Sequence, residues 1–324
     1  MGGNGDGSKS HGNVMFLICG EALFDVYVGE ATSTGVMLDA RIGGSPYNVA
    51  MGLSRMGRTA GLLTGNAQDS LGARLMKAAT EEGMDTRFLR PKPALTTLAL
   101  IGVAPSGAAQ YSFYSEGSVD WAITEADLPR LDDIKAVHVG SYSLVLEPSG
   151  SSFLTLARQA RGTQLVSLDP NIRLGVVPDR ARWQERIGDF LRCADLVKVS
   201  DEDLAVLCPG KGVETAARDW LAIGPKLVVV TLGAEGALAV SDSHMVRVPG
   251  KAVRVEDTVG AGDTFQAALL TALDEMGHAS PSAIAELSAE TISRALVFAV
   301  EASAITCQRR GADLPHRHLL PALL

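Results

Sequence analysis

The chain has 324 residues, 46% of them apolar, and a formal net charge of −8. That length suits one large α/β unit with an insertion. The acidic balance and the lack of any Lys/Arg-rich run exclude a nucleic-acid partner, and no apolar run reaches the roughly 18 to 20 residues that cross a bilayer, so no membrane span is expected.

The opening stretch MGGNGDGSKSHGNV lacks an apolar h-region and does not read as a secretory signal. Asp6 stands where a myristoylation pattern needs Ser or Thr. Residues 1–13 are expected to be a disordered tail and residues 14–324 a single domain. From Val14 onward short apolar runs keep returning: FLICG (16–20), AGLLTG (60–65), AVHVGS (136–141), QLVSLDP (164–170), DLVKVS (195–200) and KLVVVTLG (226–233). Their continuous apolar character predicts strands covered on both faces. Helical patterns lie between them. In SLGARLMKAATEEG, for instance, Leu71, Leu75 and Ala78 recur at intervals of four and three. This alternation predicts a mostly parallel sheet flanked by helices, and such sheets bind ligands at the carboxyl ends of their strands.

Two segments break the rhythm. One runs from about Val26 to Arg41. The other, TTLALIGVAPSGAAQYSFYS, holds two strand-like runs joined by Pro105-Ser106-Gly107, a hairpin pattern. Together, over about 26–41 and 95–122, they predict a small separate sheet over the mouth of the main one, with an ordinary edge hairpin as the alternative. The last helical pattern, from about Ser282 to Thr306, carries Ile284, Leu287, Ile292, Leu296 and Val300 toward a core and reads as more than one helix.

Cys19, Cys193, Cys208 and Cys307 are widely spaced and form no CxxC pair, so neither a disulfide framework nor a zinc site is expected, and a reduced, cytoplasmic setting fits. The P-loop pattern GxxxxGK[ST] is absent, and no GxGxxG follows the first strand.

The stretch DTVGAGDTF (257–265) carries the chemistry. Phe265, Ala268, Leu269, Ala272, Leu273 and Met276 follow it at helical spacing, so a helix starts close to Gly262. Gly260 and Gly262 let the backbone approach a ligand closely. Free amides at a helix start, with the macrodipole behind them, make an anion site. Asp263 in the first turn would be repelled by a bound anion unless a hydroxyl proton lay between them, which is the geometry of phosphoryl transfer to an alcohol. The residues alone leave two readings open, helix capping and general base.

DTVGAGDTF closely resembles the C-terminal motif of the ribokinase-like (PfkB) family of carbohydrate kinases, and GGSPYNVAMGLSRMG (43–57) resembles the N-terminal one. The resemblance runs from about Phe16 to Ala312. It implies a ribokinase-like α/β fold with a small β-sheet lid, and an ATP- and Mg2+-dependent sugar kinase. It also implies Asp263 as catalytic base, with the amides of Gly260, Ala261 and Gly262 and that of Asp263 itself as anion hole. Asp25, read as ending the first strand, resembles a carboxylate that accepts bonds from sugar hydroxyls, and Gly43, Gly44 and Asn48 resemble the substrate turn and helix entry. Phe113 belongs to an aromatic pair at the end of the lid. Asp169 and Arg173 in LDPNIR resemble residues near sugar or phosphate.

In KVSDED (198–203), Ser200 and Asp203 stand where many relatives have the Asn and Glu of an NxxE motif. Direct metal ligation by Asp203 is therefore replaced by a water-mediated contact to Mg2+. Lys198 fits a triphosphate contact, with an exposed structural lysine as the alternative. Thr231, Gly233 and Gly236 resemble the turn against the ATP phosphates and ribose, and Val300 opens the segment that resembles the adenine side. Asp257, with carbonyls near Cys307 and Arg310, resembles the monovalent-cation (K+) site of some relatives. Lid sheets in the family often meet across a homodimer.

Fructose is the favoured acceptor, because GEALFDV, HVGSYS and FYSEGSVDWAIT look most like bacterial fructokinases. Kinases of 2-keto-3-deoxygluconate tend to carry an arginine after the aromatic pair, and here Glu116 follows Phe113-Tyr114-Ser115. That keto acid, another sugar, a nucleoside such as adenosine, and a non-catalytic sugar-binding regulator remain the alternatives.

Overall fold

The computed structural model describes residues 15–103 and 109–323. The expected tail and the Pro105-Ser106-Gly107 turn lie outside the described residues.

The first strand shows how this sequence makes a sheet covered on both faces. In β1 (Met15–Cys19), Met15, Leu17 and Cys19 point into one core and Phe16 and Ile18 into the other, as the two-residue period of a strand requires. The chain then runs β2 (Leu23–Ala31), β3 (Val36–Gly43), α1 (Ser45–Arg55), β4 (Ala60–Ala67), α2 (Ser70–Glu81), β5 (Leu89–Lys92), β6 (Leu98–Val103), β7 (Ala109–Tyr114) and β8 (Ile134–Gly140). After α3 (Ser149–Ala160) come β9 (Leu165–Asp169), α4 (Arg180–Leu191), β10 (Leu196–Ser200), α5 (Asp201–Leu207), α6 (Val213–Leu221), β11 (Leu227–Thr231), β12 (Ala237–Val240) and β13 (Met245–Val248). The chain closes with α7 (Ala261–Glu275), α8 (Pro281–Ala285) and α9 (Ala289–Thr306).

Nine strands form the main sheet in the order β13-β12-β11-β10-β9-β8-β1-β4-β5. Pairing is parallel from β5 to β11, and β12 runs antiparallel to both of its neighbours, β11 and β13. One core lies under α3, α4, α5 and α6 (Phe153, Trp183, Leu204, Trp220), the other under α1, α2, α7 and α9 (Leu53, Leu75, Leu269, Leu296). The strand order reverses between β1 and β8, and a crevice opens there at the carboxyl ends of the strands. The last helical pattern is indeed two helices, α8 and α9, with Ile284, Leu287, Ile292 and Leu296 buried. Among the described residues no helix is long and apolar enough to cross a membrane.

The rhythm-breaking segments form a separate four-stranded sheet, β3-β2-β6-β7. It begins at Leu23, earlier than the expected Val26. Asp25 therefore does not end the first strand. β1 stops at Cys19, and Gly20 turns the chain at φ 148°, where a Cβ would lie 2.3 Å from Pro46 Cγ. Asp25 is the third residue of β2, on the small sheet. Strict alternation then places Asp25 and Tyr27 on one face with Arg41, Ala99 and Phe113, which pair with them or with each other in register.

Candidate active site

The N-terminus of α7 forms the centre of the site. Gly260 caps the helix in the left-handed region at φ 77°. A side chain there would be strained, and its Cβ would lie 2.7 Å from Ala312 Cβ. At Gly262 a Cβ would lie 3.0 Å from Lys198 Nζ. The amides of Gly260, Gly262 and Asp263 have no hydrogen-bond acceptor among the described residues. Ala261 differs from expectation. Its N–H donates to the Thr258 carbonyl at 3.2 Å in the turn that enters the helix, so its amide is already committed.

Asp263 does not cap α7. Its carboxylate turns across to α1, where it accepts from Ser45 Oγ at 2.6 Å and Asn48 Nδ2 at 2.8 Å. The GGSPYN segment makes this possible. Gly44, at φ 100°, caps α1, and Pro46 occupies its first turn, where the missing N–H costs nothing. Burial pushes the Asp263 carboxyl above its usual range, and the Ser45 and Asn48 bonds pull it back. Each carboxylate oxygen keeps further acceptor capacity for the cavity.

A cavity of about 520 Å³ opens between the α7 start and the small sheet, and Asp25, Asn48, Phe113, Arg173, Lys198 and Asp263 all line it. Asp25 has no hydrogen-bond donor among the described residues. Burial raises its carboxyl to about 6, with Arg173 pulling it down and Asp263 pushing it up. Gly43 is explained by this carboxylate, since a Cβ there would lie 2.4 Å from Asp25 Oδ2. Among the described residues Arg173 donates only to the Ile172 carbonyl, and it lines the cavity.

Lys198 is not an exposed lysine. It is 4% exposed and pairs with buried Asp169 at 2.9 Å. The other Asp169 oxygen, Oδ1, is buried without a hydrogen-bond partner among the described residues. Asp203, in the first turn of α5, is raised by burial and by Asp169, and lowered by Arg173 and Lys198. Ser200 caps α5 by accepting from the Asp203 N–H at 3.0 Å, which commits its hydroxyl.

The remaining expected nucleotide residues do not line the cavity. Thr231 pairs beside Ser200 at the carboxyl edge of the sheet. Gly233 opens a short 3-10 turn, and Gly236 ends it at φ 99°, where a Cβ would lie 2.2 Å from the Val248 carbonyl oxygen. Val300 packs partly buried against the core. Asp257 braces a loop, its two oxygens accepting from the Val259 and Gly311 amides at 3.1 and 2.8 Å.

Sequence reasoning missed other parts of the cavity wall. Glu21, Tyr27, Ile101, Ser141 and Tyr142 line it as well. Glu21 is 1% exposed and accepts from Ser143 Oγ at 2.7 Å. Close by, Asp120 accepts from Tyr142 Oη at 2.8 Å and from Thr97 Oγ1. Burial raises Glu21 to about 7 and Asp120 to about 6, and the Asp120 charge adds to the rise at Glu21. The clue was the single acidic residue ahead of Asp25 in GEALFDV, Glu21, whose partner Ser143 comes from a distant segment.

The raised Glu21 has a consequence for stability. The folded state holds a proton that the unfolded chain has released, so the contribution is fully present below 4.5 and is lost as pH rises through about 7. The melting temperature of Glu21→Gln relative to wild type should climb between pH 5 and 8, by a few degrees for a difference on the order of 2 kcal/mol. A pH-independent gap in thermal unfolding would refute the buried titration.

The sequence profile of the pfkB family carbohydrate kinases matches residues 18–318. The chain belongs to this family. A fructokinase from Rhizobium leguminosarum bv. trifolii is 38% identical over 260 residues, covering 80% of this chain and 79% of the relative. Fructokinase-2 from Oryza sativa subsp. japonica is 32% identical, with 83% and 80% covered. Among solved structures, the fructokinase of Vibrio cholerae O395 in its fructose-, ADP- and calcium-bound form superimposes with a TM-score of 0.78 at 28% identity, covering 93% of this chain and 95% of that one. The ATP-bound fructokinase from Xylella fastidiosa, 24% identical, shares the fold with a TM-score of 0.86 over 96% of both chains. The pfkB kinase described here is thus a phosphotransferase with an alcohol acceptor, an ATP-dependent sugar kinase with the ribokinase-like fold.

Proposed function

We propose that this kinase transfers the γ-phosphoryl group of ATP to the 6-hydroxymethyl group of D-fructose. The charge of the cavity carries the substrate reading. Glu21, Asp25 and Asp263 face it, against Arg173 and a Lys198 already held by Asp169. Such a lining favours a neutral polyol, whose hydroxyls donate to carboxylates. The 38% identical fructokinase supports the same choice. Glu116 does not support it as expected. It is exposed and does not line the cavity, so it repels no ligand by contact. Arg173 favours a second reading, a sugar acid such as 2-keto-3-deoxygluconate, whose carboxylate it would meet.

In this mechanism Asp25 and Asn48 orient the sugar. Asp263 accepts the proton of the attacking hydroxyl, its carboxylate fixed by Ser45 and Asn48. The amides of Gly260, Gly262 and Asp263 hold the migrating phosphoryl oxygens, and Lys198 offsets their charge. Among the described residues no three His, Cys, Asp or Glu side chains gather as a metal site. The orphaned Asp169 Oδ1 and Asp203 instead fit a Mg2+ held mainly by phosphate and water, which would neutralise charge developing on the phosphates. A potassium ion near Asp257 remains part of the proposal; a related Vibrio cholerae fructokinase variant is known in a potassium-bound form. Thr231, Gly233, Gly236 and Val300 would flank the nucleotide.

The small sheet supplies Asp25, Tyr27, Ile101 and Phe113 to the cavity, and we read it as a lid that excludes water. Its other face exposes Leu38 and Tyr114, by 53% and 64%, and is the proposed contact in a homodimer.

Losing a buried charged hydrogen bond costs roughly 1.5 to 3 kcal/mol, so Asp25→Ala should raise the fructose KM by about tenfold or more. Unchanged fructose binding in calorimetry would remove Asp25 from the sugar site. The reading as a whole is tested by coupled ADP release with fructose, 2-keto-3-deoxygluconate, ribose and adenosine. Fructose should give the highest kcat/KM, and preference for the keto acid would move the assignment to the second reading.

A further inference from the structure

Arg41 lies between the two ends of the site and has no part in the mechanism above. On β3 it stands directly opposite Asp25 of β2, on the face that looks into the cavity. Its guanidinium sits 5.4 Å from the ring centroid of cavity-lining Tyr27. Nε and Nη2 donate to Asp39 Oδ2 at 2.9 and 2.7 Å. No acceptor for Nη1 is found among the described residues. That nitrogen faces the loop after α9, where a Cβ at Gly311 would lie 3.5 Å from it.

This loop is tied to the phosphoryl end. The Gly311 N–H donates to Asp257 Oδ2, and the other Asp257 oxygen accepts from the Val259 N–H, one residue before Gly260. Ala312 is the residue packed against Gly260. The negative charge of Asp257 also acts on the Arg41 guanidinium. A continuous set of contacts therefore leads from Asp25 across one strand pair to Arg41, then to Gly311 and Asp257, and on to the helix-capping glycine.

We propose that Arg41 is a positioning residue that couples sugar binding at Asp25 to the ordering of the Gly260–Asp263 amides for the nucleotide. It presses the small sheet onto the Asp257–Gly311 pair, so a sugar that fixes β2 also fixes the loops that frame α7. The inference rests on the proposed sugar and phosphoryl ends of the site. Coupling of this kind is an energy between the two ends of the site.

The test is calorimetric binding of a non-hydrolysable ATP analogue, with and without saturating fructose, to wild type, Arg41→Met and Asp39→Asn. Methionine keeps an apolar stem over Tyr27 and removes the charge. Wild type should bind the analogue about fivefold tighter or more when fructose is present, and by reciprocity bind fructose tighter by the same factor when the analogue is present. Arg41→Met should keep its sugar-free analogue affinity while the factor falls toward one. Asp39→Asn, which spares the contact with the Gly311 loop, should retain the factor. An unchanged factor in Arg41→Met overturns the proposal, as does its absence from wild type. Equal loss in Asp39→Asn overturns it too, because the Arg41–Asp39 pair would then be all that matters. A wild type that binds no fructose at all contradicts the substrate reading instead, so the two failures are distinct.

Discussion

Asp263→Asn should lower kcat by at least about a hundredfold while leaving the fold intact, because general-base loss typically costs about 10²- to 10⁴-fold. The substitution keeps the size of the side chain and its bond from Ser45. Its new amide would point N–H groups at Asn48 Nδ2, but Asn48 Oδ1 is buried with no partner among the described residues, and a flip of that amide restores a bond. Removing a carboxylate that burial already disfavours also lifts a cost from the folded state. The melting temperature should therefore hold or rise slightly, and fructose affinity should change little. A capping aspartate would behave otherwise, but Asp263 makes no cap bond to lose. Steady-state turnover with thermal unfolding decides the matter, and a variant that keeps most of its rate would leave the free amides of α7 as the main catalytic device.

Lys198→Met should act on stability first. Its partner Asp169 is 1% exposed and already has one orphaned oxygen. Breaking a buried pair from one side typically costs about 3 to 5 kcal/mol, since the remaining charge is left without compensation. The denaturation midpoint should fall accordingly. Asp169→Asn combined with Lys198→Met should recover much of the loss, because no uncompensated charge then remains. The double variant should nonetheless bind ATP more weakly than wild type, as Lys198 Nζ lies beside Gly262. Single and double variants of equal stability would show that the pair is not coupled.

The sequence made the parts governed by local rules legible. Continuous apolar runs marked β1, β4, β8, β9, β10 and β11, and the glycine pair before a helical pattern located the α7 start. The small separate sheet was foreseen in outline, but not its start or its register. LFDV continues the apolar character of the first strand, and only Gly20 with its contact to Pro46 shows the turn. The choice between cap and base at Asp263 could not be made locally either, because the deciding bonds come from Ser45 and Asn48, 218 and 215 residues away. The same distance problem hid Glu21, Asp120 and Tyr142, a cluster of polar groups brought together by packing. The turn bond of Ala261 and the exposure of Glu116 were hidden for a related reason. A motif gives residue identity, whereas the Thr258 turn bond and the exposure of Glu116 are facts of backbone geometry.

Phosphorus NMR of wild type and Asp263→Asn incubated with ATP, magnesium and fructose shows whether this site moves a phosphoryl group onto a sugar hydroxyl with Asp263 as base. The wild type should form one sugar phosphomonoester for each ADP, and the variant should be at least about a hundredfold slower. ADP accompanied only by inorganic phosphate, or undiminished sugar phosphorylation by Asp263→Asn, would overturn this assignment.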